Sequence, residues 1–109
     1  MLEVDYKLYS GEEKTIEKVV LDGNLHYLHM VLPENEALPV HNTNSTVYMT
    51  VIKGSLLIGL SDQEAHVYKA VTLLKIPFNT RMDARNHGKD TLELIVVKTP
   101  APKTLCGGN

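Results

Sequence analysis

Between Leu25 and Thr99 the chain breaks into six short runs rich in β-branched, aromatic and aliphatic residues. They are LHYLHMVL, TVYMTVIK, SLLIGL, AHVYK, TLLKI and LELIVVKT, and none is long enough to be a typical helix. Turn residues separate them: Asp22-Gly23-Asn24, Pro33-Glu34-Asn35-Glu36, Lys53-Gly54, Ser61-Asp62-Gln63, Pro77-Phe78-Asn79 and His87-Gly88-Lys89-Asp90. Runs of this length at this spacing predict an all-β sandwich or barrel of about ten short antiparallel strands. The one segment with a trace of helical spacing, GEEKTIEKVV, reads as a turn entering a strand, because Thr15, Ile16, Val19 and Val20 are β-branched.

The chain has 109 residues, enough for one domain with a modest apolar core. Residues 1–24 are expected to form N-terminal strands or an arm packing on a barrel at 25–100, with a loose tail at 101–109. The single Cys106 leaves no intramolecular disulfide, and in LCGGN it reads as a tail thiol. A formal net charge of −2 without a basic run gives no footprint for nucleic acid. No stretch is apolar enough to span a bilayer as a helix, and the acidic, polar start MLEVDYKLYSGEEK differs from a signal peptide. A cytoplasmic location is expected.

Side chains alternate along a strand, so each run can be split into two faces. The last run is apolar on both: Leu92, Leu94 and Val96 on one side, Ile95 and Val97 on the other. Such a strand is expected to be covered on both faces, by a second sheet or a second subunit. His26 and His29 are an odd number of positions apart and should face opposite ways, so they are not expected to share a metal. His66 and His87 flank turns and should be exposed.

Two segments carry a further pattern. In Pro33–Gly54 the chain places Asn35, His41, Thr43, Val47 and Gly54; in Val71–Asn86 it places Val71, Pro77, Asn79, Met82 and Asn86. These intervals resemble the two signature motifs of the cupin family, and the likeness extends over about Leu25 to Pro100 (including the closing VVKTPAP). The resemblance implies a cupin-like double-stranded β-helix, or jelly-roll barrel, of the small single-domain kind. It also implies a site at the barrel mouth where three histidines and a glutamate hold a divalent metal. Of those four slots only His41 keeps its ligand; the others read Thr43, Val47 and Met82. Asn35 and Asn79 replace glycines, and because Asn tolerates positive φ they can still turn the chain.

With His41 and Val47 inward, Met49 and Val51 follow them, and Tyr48, Thr50 and Ile52 face out. On the motif-two strand Met82, Ala84 and Asn86 are expected to point inward or cap the mouth, with Arg81, Asp83 and Arg85 outside. The expected pocket is thus His41, Thr43, Val47, Met49, Val51, Met82 and Asn86, apolar with a few polar groups, as ligand sites tend to be. Divalent metals draw on imidazole and carboxylate, so a divalent metal is disfavoured and no cofactor is expected. A copper(I) site on His41, Met49 and Met82 competes with the commoner use of Met as core filler. A substitute site on His41, another histidine and Glu36 has no convergent geometry specified by the sequence.

Metal-free binding of a small molecule, in a sensing or accessory role, is the reading these residues favour. The alternatives are an enzyme and a homodimeric interaction module. The enzyme would be a metal-dependent oxygenase or isomerase with an atypical site, or a metal-free sugar isomerase using His41 as base. Asn86 is expected to close a turn. The expected partners are an unidentified small ligand and a second copy of the chain.

Overall fold

The computed structural model describes residues 1–103, so Cys106 and most of the tail lie outside the described residues. The described chain contains nine strands and no helix, one strand fewer than the number expected. They are β1 (Thr15–Leu21), β2 (His26–Leu32), β3 (His41–Asn42), β4 (Thr46–Lys53), β5 (Ser55–Leu60), β6 (His66–Lys69), β7 (Thr72–Ile76), β8 (Arg81–Asn86) and β9 (Leu92–Thr99). All pairings are antiparallel, in a five-stranded sheet ordered β1-β2-β9-β4-β7 and a four-stranded sheet ordered β3-β8-β5-β6. This is the antiparallel all-β barrel that the turn spacing predicted, in the jelly-roll form that the motif resemblance implied.

The core lies between the two sheets. Leu28, Met30, Leu32, Val47, Met49, Val51, Leu92, Leu94 and Val96 come from the larger sheet and meet Leu56, Ile58, Met82 and Ala84 of the smaller. Alternation holds on β4, where Val47, Met49 and Val51 are buried and Tyr48, Thr50 and Ile52 are not. On β8, Met82, Ala84 and Asn86 are buried while Arg81 and Arg85 are exposed. Positive φ appears at Asn35 (71°) and Asn79 (60°), as the sequence allowed, and also at Gly54 (85°) and Ser61 (50°). At Gly54 a side chain is barred sterically as well, since a Cβ would sit 2.6 Å from the Thr91 carbonyl oxygen.

The N-terminal stretch comprises a strand and an arm: β1 is an integral edge strand, paired along its length with β2, and residues 1–14 form the arm. At the other end, the chain does not leave the barrel at Pro100. The Ala101 amide donates to the Asn24 carbonyl (3.0 Å), and the Ser45 hydroxyl donates to the Pro100 carbonyl (2.5 Å). These bonds hold the start of the tail against the mouth.

The cover over the last strand is in part the second sheet that the sequence suggested and in part the chain's own arm. One face of β9 meets the other sheet. On the outer face the chain's own arm lies over the Glu93 end, where Tyr9, Ser10, Gly11 and Glu12 enclose a cleft with Val31, Lys53, Thr91 and Glu93. Ile95 and Val97, farther along, are half-buried.

Candidate ligand-binding pocket

At one end of the barrel the sheets part to leave a cavity of about 650 Å³. β1, β2, β9 and β4 form one wall and β3 and β8 the other, with Pro102 at the rim. Leu28, Met30, Val47, Met49, Met82 and Val96 make the interior apolar, because each is the inward member of an alternating pair on its strand.

Four of the expected residues come together with His41 here: Thr43, Val47, Met49 and Met82. His41 is half-buried on β3, opposite Met82 in the register of β8. Its Nδ1 lies 2.9 Å from the Pro39 carbonyl oxygen. A carbonyl only accepts, so Nδ1 carries the proton, and in the neutral ring the lone pair is on Nε2. Thr43 lines the cavity, but its hydroxyl is committed to the β7–β8 loop: it donates to the Pro77 carbonyl (2.7 Å) and accepts from the Thr80 amide (2.8 Å). It is a loop fastener first.

Two expected members are not in the pocket. Val51 shares the inward face of β4 but lies deeper, in the closed core away from the mouth. Asn86 is used up by the backbone at the far end of β8. Its Nδ2 donates to the carbonyls of Leu32 (2.8 Å) and Asp90 (2.9 Å), and its Oδ1 accepts from the Gly88 amide (2.9 Å). That last bond closes the turn expected of it.

The cavity also has members that sequence reasoning missed: His26 on β2, Lys18 on β1 and Lys98 on β9. Parity would have found two of them. His26 is in phase with Leu28 and Met30, and Lys98 with Leu92, Leu94 and Val96, so each extends an apolar face by one step toward the mouth. In the register of the sheet Lys98 stands between His26 of β2 and Val47 of β4. Burial, and then the nearby charge of Lys18, hold the Lys98 ammonium below its ordinary pKa.

The donor set does not fit the divalent metal that the family resemblance implies. His41 supplies one imidazole, Val47 has no donor atom, Met82 offers a thioether, and the Thr43 hydroxyl is engaged. Glu36, considered as a substitute ligand, pairs instead with Lys14 at 3.0 Å. Among the described residues no three His, Cys, Asp or Glu side chains are grouped to hold an ion.

A second polar cluster sits on the outer face of the larger sheet. His29 does face away from His26, and Nδ1 lies 2.5 Å from Glu17 Oε2 while Nε2 lies 2.6 Å from Glu93 Oε2. Carboxylates accept, so both ring nitrogens donate and the ring is an imidazolium. Burial opposes that charge, but the bonds to Glu17 and Glu93 outweigh it and raise the pKa. The Tyr9 amide donates to the same Glu17 oxygen (2.8 Å); that bond, followed by the one from His29, lowers the Glu17 pKa. The cluster therefore ties the arm to the sheet. His66 and His87 are exposed, as expected.

No protein-family profile matches the chain. Among curated sequences, it is 41% identical over 95 residues to the uncharacterized protein MJ0764 of Methanocaldococcus jannaschii, covering 87% of this chain and 82% of that one. The crystal structure of MJ0764, described as an RmlC-like cupin family protein with a double-stranded β-helix fold, superposes with a TM-score of 0.90 at 39% identity over 94% of both chains. A cupin superfamily protein from Desulfitobacterium hafniense shares the fold at a TM-score of 0.73 and 10% identity, covering 84% of this chain and 83% of its own. The Cnp3 cupin domain of Schizosaccharomyces pombe shares it at 0.73 and 11%, covering 89% and 69%. With its strand order, its paired motif spacing and a relative this similar over most of its length, the chain belongs to the cupin family.

Proposed function

We propose that this cupin binds a small organic molecule in the barrel without a metal ion. The observation that carries the reading is the cavity of about 650 Å³, apolar within and polar at its lip. Its size falls in the range of small-molecule sites, about 300–1,000 Å³. Its motif positions carry Val47 and Met82 in place of metal ligands, so the interior is built for apolar contact. His41, with its tautomer fixed by Pro39, supplies a directional hydrogen-bonding group beside that surface.

A ligand that binds only the folded state raises the melting temperature by mass action. Thermal-shift screening of sugars, keto acids and aromatic acids is expected to find a stabilising class, with the shift lost in Met49→Trp, which fills the interior. Stabilisation by nothing in such a set, or an unchanged response in the filled variant, would count against the reading.

A further inference from the structure

We infer that the ligand of this cavity is an organic carboxylate with an apolar body, its acid group held at the lip between Lys98 and Lys18. The inference rests on the proposed binding role and narrows it by charge. Its basis is the imbalance of the lining. Lys18, Lys98, His26 and His41 line the cavity, whereas no aspartate or glutamate lines it among the described residues. Neither lysine is in an ion pair among those residues. The whole chain, by contrast, has a formal net charge of −2, so the basic lip is local.

The position of Lys98 gives this lip its meaning. Lys98 is the cross-strand neighbour of Val47, the position at which the family resemblance implies a glutamate. The cation therefore stands beside an apolar side chain and not beside a carboxylate. Leu28, Met30, Met49 and Val96 continue inward from it as a hydrocarbon surface with no charged group. An ammonium half-buried against that surface is partly stripped of water and has no counter-ion among the described residues, and burial accordingly lowers its pKa. A ligand carboxylate restores the missing partner while its apolar body displaces water from the interior. A bare anion would satisfy the lip alone, and a neutral apolar molecule the interior alone.

The test is calorimetric titration of the full chain at low ionic strength with hexanoate and phenylacetate, with their neutral amides, and with inorganic phosphate. The carboxylates are expected to bind once per chain, at least about tenfold more tightly than the amides, the scale of one charge-assisted hydrogen bond. Added salt should weaken the carboxylates and leave the amides unchanged. Lys98→Met should erase the preference while still binding the amides, and Lys98→Arg should keep it. Lys18→Met, at an exposed position, should give a smaller loss in the same direction. Equal binding of acid and amide overturns the charge assignment but leaves the binding role standing. Phosphate binding as tightly as the carboxylates overturns the requirement for an apolar body. Silence from every compound overturns the carboxylate assignment, whereas the binding role itself stands or falls on the wider thermal-shift screen.

Discussion

On the outer face of the larger sheet, where side chains ordinarily meet water, His29 has no exposed surface. Its two carboxylate partners make a charged imidazole tolerable there, and the arm that Glu17 anchors closes over them. The consequence is a stability window in pH. Because folding raises the pKa of His29, its contribution is complete below the unfolded value of about 6.5 and is lost as pH rises through the folded value. Glu17 is shifted down, so its contribution is present above the unfolded value of about 4.3 and is lost as pH falls through the folded value. Denaturant titrations are expected to find a maximum between these limits, with a decline on the alkaline side that His29→Gln removes. The same variant should cost about 3 kcal/mol at the maximum, since it leaves two facing carboxylates without their shared cation. A pH profile unchanged by the substitution would show that the cluster does not set the window.

At the scale of elements, the turn between β4 and β5 is the most constrained joint. Gly54 has φ of 85° and the Thr91 carbonyl oxygen within 2.6 Å of where a Cβ would stand. Gly54→Ala is expected to cost about 1–3 kcal/mol in chemical denaturation, whereas Gly23→Ala, with open space around it, should cost much less. Joints of this kind were legible in the sequence, as were the strands themselves and the inward faces of β4 and β8, because each depends on local chemistry and a period of two. The pocket was legible only in its centre. Val47, Met49 and Met82 follow from motif spacing, but Val51 and Asn86 share their parity and lie too far along their strands, and parity carries no information on depth. Lys98 escaped notice because a charged residue at the end of an apolar run reads as the end of the strand, and Lys18 because it interrupts the apolar positions of β1. The Glu17–His29–Glu93 cluster was beyond reach for another reason: it joins three strands whose neighbours in space are set by topology, and Glu93 is 64 residues from His29.

Over the whole molecule, the arm covers only part of the larger sheet's outer face. Toward its β7 edge Val71 is 82% and Leu73 62% exposed, with Ile52 also uncovered on the adjoining strand. Pairing of two copies through this sheet remains the assembly we expect, and sedimentation velocity at micromolar concentration checks it. A dimer that Leu73→Lys converts to monomer would support it, and a monomeric parent chain would end it. Both polar devices of the molecule meet on a single strand. β9 sends Glu93 outward to the histidine cluster and Lys98 inward to the cavity, five residues along and on the opposite face. Loss or gain of one residue between them would move one of the two to the wrong side of the pleat, along with the apolar residues beyond the change. Substitution along β9 can therefore tune either device separately, but a change in its length would disable at least one of them, so this strand is expected to vary in residue type far more readily than in residue number.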